Sequence, residues 1–341
     1  MTIADYHATA GDWRAQLKMN ERKTKQVIAL FFLVYLTVGF VADLFVAHSL
    51  YPQVSLDRIA GALLTLKLVP YATLLMFAFA AVSLIITYSM YDRIMLLGTE
   101  YKEITEQSAQ TLAEKQLYHV VEEMKVAAGL QYMPKVFIID AEYMNAFASG
   151  YSEQSAMVAI TRGLMEKLDR AELQAVMAHE LSHVRHHDIK LTLTVAVLSN
   201  ILLIVIDMLF YSVLFGRDDR REGNPLVTVI VILRYVIPLV TMFLALFLSR
   251  TREYMADAGC VELMRDNEPM ARALLKISQD HAQHAQQYEQ EYGNTAHEQV
   301  RQASYLFDPS DIDPIKALSS AFSTHPSIDQ RLAAIGFKRK S

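Results

Sequence analysis

Residues Glu172 to Val184 read E-L-Q-A-V-M-A-H-E-L-S-H-V, and the rest of the chain takes its meaning from them. They contain His179-Glu180-Leu181-Ser182-His183, an H-E-x-x-H arrangement. On a helix, side chains four apart stand one above the other, so His179 and His183 project from one face and reach one ion. Glu180 is turned from them by one residue, roughly 100°, where a carboxylate can hold a metal-bound water. That is the working part of a zinc metallopeptidase. With this chain's His and Glu content, the pattern arises by chance in roughly one sequence in fifty of this length. The flanking chain must therefore decide. Immediately upstream, Asp169 with Glu172 three residues later forms a capping-box variant that starts the helix.

Composition narrows the setting. Of the 341 residues, 52% are hydrophobic, and the excess is gathered in a few runs, which points to membrane spans rather than one large core. The net charge of −5 gives no reason to expect a nucleic-acid partner. Cys260 is the sole cysteine, which excludes an intramolecular disulfide and thiolate-rich metal sites. A zinc ion here must use histidine and carboxylate ligands. The polar first residues carry no apolar core of a cleavable secretory signal.

Four apolar runs follow from the pattern. Val27 to Ala47 is apolar except for Asp43 and long enough to cross a bilayer of about 30 Å. Ile59 to Tyr91 is interrupted by Lys67 and Pro70, which places its crossing part at Leu68 to Tyr88. Leu191 to Phe215 holds only Asn200 and Asp207 as strongly polar members, and Leu226 to Leu248 is broken by Arg234 and Pro238. Asp207 and Arg234 are expensive in lipid and are expected to face protein, water or each other. Pro238 is expected to kink its helix. Between the last two runs, Gly216 to Pro225 reads as a charged turn.

The stretch between the second and third runs reads as α+β. Glu106 to Ala128 carries a helical apolar stripe, Lys135–Asp140 and Ala156–Thr161 are strand-like, and Asn145–Gly150 ends in a turn signal. The chain from Ser249 onward is polar and mostly helical, with a Gln/His/Glu-rich stretch near 281–302 read as solvated. His119, His281, His284 and His297 are expected at the surface, and Cys260 is expected to be a small buried side chain.

Two histidines need a third protein ligand, with a fourth position left open. Glu253 and Asp257, four apart in R-E-Y-M-A-D, would share a helix face; Glu253 can bind a metal while Asp257 orients a ligand histidine. Alone, such a pair is usually a solvated face.

Four stretches together, H-E-L-S-H (179–183), R-E-Y-M-A-D (252–257), N-A-F-A-S-G (145–150) and T-H-P-S-I-D-Q-R (324–331), resemble the HtpX family of membrane zinc metalloproteases, itself related to the CAAX prenyl endopeptidases. They occur in the family's order, with two apolar runs before the H-E-x-x-H helix and two between it and the Glu motif. The resemblance spans roughly Val27 to Arg331. It implies a mainly α membrane protein with a small β-sheet, four hydrophobic helices and a cytoplasmic gluzincin-type α+β protease domain. It further implies one Zn2+ per chain held by His179, His183 and Glu253, with Glu180 as general base and acid. Asp257 would stand behind a ligand, Asn145 beside the substrate backbone, and His325 on the substrate or transition-state oxygen, supported by Arg331. Asp188 matches a family acidic position. The N-terminal extension and the 283–302 stretch look like additions.

The expected organisation is a cytoplasmic tail (1–25), two transmembrane helices (26–92), a first protease part (93–190), a hydrophobic hairpin (191–249) and a second protease part (250–341). Basic residues before the first span and after the second outnumber those between, so the N-terminus and the segment after Arg93 are expected in the cytoplasm, and the resemblance implies a bacterial inner membrane. His183 lies seven residues before Lys190, about 10 Å if the helix simply continues, so the metal is expected near the membrane surface. Substrates implied are membrane or membrane-associated polypeptides entering as extended strands, in membrane-protein quality control or a stress response. The rivals are a protease for defined substrates such as prenylated peptides, and a non-enzymatic zinc-stabilised scaffold; Glu180 argues against the scaffold, which needs no base.

Overall fold

A computed structural model describes residues 3–8, 13–96, 101–150, 152–215, 225–288, 306 and 325–339. The expected turn at 216–224, the side chain of His7, His297 and most of the 283–302 stretch lie outside the described residues. The chain divides into two compact units.

The first unit comprises Met1–Thr24, Tyr88–Leu191 and Leu246–Ser341. Its centre is a four-stranded sheet of β2 (Tyr101–Ile104), β3 (Lys135–Ile139), β4 (Ala146–Ser149) and β5 (Met157–Thr161), in the order β2-β3-β5-β4. The β3–β5 pair is parallel, and the two outer pairs are antiparallel. Strands β4 and β5 are buried along their whole length, as expected where both faces are covered. The Asn145–Gly150 stretch is therefore an edge strand, where the sequence offered only its terminal turn. Helix α4 (Leu112–Ala128) starts later than the apolar stripe suggests, because Thr111 and Glu114 close a capping box there. Helix α5 (Arg162–Lys167) leads to α6 (Arg170–Arg185), and α6 packs against α4, β4 and β5. Asp169 and Glu172 form the expected capping box of α6.

Helix α6 does not run on toward Lys190. It ends at Arg185, His187 takes a left-handed φ of 54°, and a new helix opens at Asp188. The unit is completed by the end of a long helix reaching Met264, by α9 (Glu268–Gln283) and α10 (Ile328–Ala334), and by a second, two-stranded sheet. That sheet pairs β1 (Tyr6–Ala8) antiparallel with β6 (Phe337–Arg339), joining the two ends of the chain. His281 is a correction: it is fully buried in α9, with its Nδ1 3.0 Å from the Ile277 carbonyl and its ring against Tyr288. Its place on the inner stripe of an amphipathic helix outweighs its polarity. Cys260 is buried, its Sγ 3.2 Å from the Ala175 carbonyl.

The second unit comprises Lys25–Thr87 and Thr192–Ala245. It holds the apolar lengths of α1 (Trp13–Leu50), α3 (Tyr71–Leu96), α7 (Asp188–Phe215) and α8 (Pro225–Met264), with a short α2 (Leu56–Leu64). All four long helices have the length and hydropathy to cross a membrane. Asp43 in α1 is neutralised by geometry: its carboxylate accepts from the Ala72 and Thr73 amides at 2.7 and 3.1 Å and from Thr73 Oγ1 at 2.6 Å. It caps the start of α3, satisfying amides that a helix leaves open at its N-terminus. Gly39 makes room, since a Cβ there would lie 2.5 Å from Thr73 Oγ1. Asp207 and Arg234 form an ion pair across the α7–α8 hairpin. Helix α8 carries both the fourth apolar run and the R-E-Y-M-A-D stretch without a break, with Pro238 inside it.

Candidate metal centre

Close approach of α6 and α8 builds the site. A Cβ added to Gly259 would lie 2.5 Å from Ser182 Oγ and 2.9 Å from Ser182 Cβ, so only glycine lets the helices come this near. Two and six residues before Gly259 on α8 are Asp257 and Glu253, close to His179 and His183 of α6.

His179 Nε2 and His183 Nε2 stand 3.2 Å apart. Glu253 places Oε2 3.7 Å from the first and Oε1 3.5 Å from the second, and the three residues offer ligand atoms that all lie within 4.8 Å of one another. Donors about 2.0–2.1 Å from a tetrahedral zinc ion are separated by about 3.3 Å. Spacing and chemistry, two imidazoles and one carboxylate, thus fit a divalent metal with a further position left for water.

The far ring nitrogens are held as ligand histidines require. His179 Nδ1 is 2.9 Å from Asp257 Oδ1. Arg331 grips that aspartate with two bonds, Nε donating to Oδ2 at 2.9 Å and Nη2 to Oδ1 at 2.7 Å. His183 Nδ1 is 2.7 Å from Asp188 Oδ2, and Arg252 Nε is 3.3 Å from Asp188 Oδ1. The turn at His187 explains the second contact. In an unbroken helix, residues five apart diverge by about 140°, and Asp188 would face away from His183.

The electrostatics follow from burial. Burial lowers the pKa of His179, with Asp257 opposing. Burial acts the same way on His183, but the Asp188 hydrogen bond and the Glu253 charge outweigh it and the pKa rises. Glu180 is pushed up to about 7 by burial, His183 pulling the other way. Neither of its carboxyl oxygens completes a hydrogen bond among the described residues, although the Ala148 backbone is close enough to lower its pKa. A buried carboxylate without a full set of donors is costly, and it is the arrangement a general base needs before its substrate arrives.

The remaining expected residues are placed as follows. His325 is buried with Nδ1 3.4 Å from Glu253 Oε2. Arg331 grips Asp257, and its Nη1 is also 3.6 Å from Glu253 Oε2, the oxygen that His325 Nδ1 approaches. Asn145 precedes β4 and is fully buried, its Oδ1 accepting from the Ala146 amide at 3.0 Å. Its own amide donates to Thr161 Oγ1 at 2.9 Å. Leu306 bridges the same region: its amide donates to the Ala146 carbonyl at 2.9 Å, and its carbonyl accepts from Arg331 Nη1 at 2.7 Å. Sequence reasoning missed Arg252 and Gly259. Only their place in and just after R-E-Y-M-A-D hinted at either.

Comparison with known proteins now bears on this geometry. The model of peptidase family M48 matches residues 111–337, which contain His179, His183, Glu253 and Arg331. The chain belongs to peptidase family M48. An HtpX protease homologue of Helicobacter pylori (strain Shi470) is 38% identical over 321 residues, 94% of this chain and 96% of the relative. One from Streptococcus uberis is 32% identical over 325 residues, 93% of this chain and 97% of its own. The crystal structure of S. mikatae Ste24p aligns with a TM-score of 0.47 and 18% identity, covering 97% of this chain and 67% of that one. The chain is accordingly an M48 metallopeptidase with HtpX relatives. The four apolar helices and these bacterial relatives make it a membrane protein.

Proposed function

We propose that this M48 peptidase is a zinc-dependent endopeptidase that cleaves misfolded or damaged membrane proteins at the cytoplasmic face of a bacterial inner membrane. The observation that carries the reading is Glu180, a buried carboxylate short of hydrogen bonds, beside a two-histidine, one-glutamate donor set of zinc spacing. A structural metal site has no use for such a group, which weighs against the scaffold reading.

His179, His183 and Glu253 hold the ion in this reading. Zinc, when bound, supplies Lewis acidity that acidifies the attacking water and polarises the scissile carbonyl. Glu180 takes the proton as the water attacks and returns it to the leaving amine; burial, which penalises its charged form, strengthens it as a base. His325 donates to the developing oxyanion. The edge strand β4 receives the substrate in extended form beside α6, with Asn145 at its start. Leu306 supports this route, since one residue of the chain already spans from the Ala146 carbonyl to Arg331.

Topology supports the cytoplasmic assignment. β1 lies in one sheet with β6, which supports placing the residues before α1 on the same side of the membrane as the peptidase unit. Arg14, Lys18, Arg22, Lys23 and Lys25 precede the first apolar run, which favours the cytoplasm. Protease segments 93–190 and 250–341 then both face the cytoplasm, joined through the hairpin.

The test is casein cleavage by detergent-purified protein, comparing wild type with Glu180→Gln. Activity should fall by about 10²–10⁴-fold while bound zinc stays at the wild-type level. Retained activity in Glu180→Gln would remove the carboxylate from the mechanism.

A further inference from the structure

We propose that the N-terminal tail is a working part of the peptidase unit, with Tyr6 a positioning residue that acts through Arg331 and Asp257 on His179. The proposal rests on the metal-site reading above. It concerns a segment that, as sequence, looked like an addition.

Three observations carry it. Backbone pairing comes first: Tyr6, His7 and Ala8 lie opposite Arg339, Lys338 and Phe337, and among the described residues β1 and β6 alone make up this sheet. Without the tail, β6 is a lone strand, which has no stability of its own in water. Second, Tyr6 is buried, at 5% exposure, and its hydroxyl donates to Asp329 Oδ1 at 2.6 Å. That is a short bond to a carboxylate and belongs to the strong class. Third, Asp329 stands two residues before Arg331 in α10, whose first turn is closed by the Ser327–Gln330 capping box. His325 stands two residues before that box.

Helix α10 packs on α9 and β6, and hydrogen bonds tie it near both ends. At its C-terminal end, Asn267 Nδ2 donates to the Ile335 carbonyl at 2.7 Å. At its N-terminal turn, Tyr6 holds Asp329. Seven residues cannot hold themselves in helical form in water, so the aim of the Arg331 guanidinium depends on these anchors. Its two bonds to Asp257 require planar, bidentate alignment, and Asp257 in turn holds His179 Nδ1. Loosening the tail lets Arg331 swing, and the histidine loses a fixed orientation.

The experiment is a double-mutant cycle read as metal affinity. Zn2+ dissociation constants are measured by competition with a chromophoric chelator for the wild type, Tyr6→Phe, Arg331→Lys and the double variant, with a thermal melt of each. Tyr6→Phe should weaken zinc binding about threefold to tenfold, below the about 10–100-fold of a group touching the ligand itself. In the Arg331→Lys background the same change should move affinity by less than about twofold, because the route it uses is already broken. A chain lacking residues 3–8 should regain affinity when a peptide of residues 1–10 is added. Unchanged affinity in Tyr6→Phe, or an effect equally large in both backgrounds, overturns the proposal. A wild type that binds no zinc overturns the metal-site reading itself and is recognised before any variant is compared.

Discussion

The two histidines of the H-E-x-x-H helix are both backed by an aspartate and then an arginine, but the two supports are built from different distances. His179 leans on Asp257 of α8, gripped by Arg331 of α10; both are at most 1% exposed and come from stretches far apart in the chain. His183 leans on Asp188, five residues away across the His187 turn, with Arg252 Nε 3.3 Å from Asp188 Oδ1. One support is long-range, bidentate and dry. The other is local and nearer the surface, with the Arg252 side chain 11% exposed. The difference assigns them separate duties. The local pair orients a ring, whereas the long-range pair also fastens α10, and through it His325 and the N-terminal tail, to the helices that carry the donors.

That contrast makes ordered predictions. Asp257→Ala should have the largest effect, because it strands the fully buried Arg331 charge: about 3–5 kcal/mol of stability lost, together with about 10–100-fold in zinc affinity. Thermal or denaturant melts and chelator competition report the two losses separately. Asp188→Ala should give a similar affinity loss but only about 1–3 kcal/mol in stability, since Arg252 is near enough to water to be rehydrated. Equal stability losses in the two variants would break the comparison. Gly259→Ala acts on both supports by forcing α8 from α6 and should cost about 1–3 kcal/mol. Ser182→Gly in the same chain should restore most of that, because Ser182 Oγ and Cβ are the atoms the new methyl meets.

The local parts of this design were readable in the sequence and the long-range parts much less so. Asp169 and Glu172 announced the helix, the i, i+4 rule announced His179 and His183, and hydropathy announced four long helices. Asp257 was readable as a partner for a ligand because it shares a helix face with Glu253. The break at His187 was not, since a left-handed residue other than glycine leaves little mark in sequence. Without that break, Asp188 could not be aimed at His183. Strand β4 was missed because Ala-Phe-Ala-Ser, buried on both faces, shows no alternation. His281 was misplaced at the surface because polarity was weighed above its position on the buried stripe of α9. Arg331 was found, but its partner was not, since nothing local in Thr324–Arg331 points to a carboxylate 74 residues upstream. Asp43 shows the same limit in the apolar unit: a charge that looked costly in α1 is the cap of α3.

Everything above turns on His179, His183 and Glu253 sharing one metal ion. The most direct measurement is metal content per chain, by elemental analysis after exhaustive dialysis, for wild type, His179→Ala, His183→Ala, Glu253→Ala and Glu180→Gln. One zinc per chain is expected in the wild type and in Glu180→Gln, and close to none in the other three. A full complement of zinc in Glu253→Ala, or its loss in Glu180→Gln with the fold intact, would contradict the account.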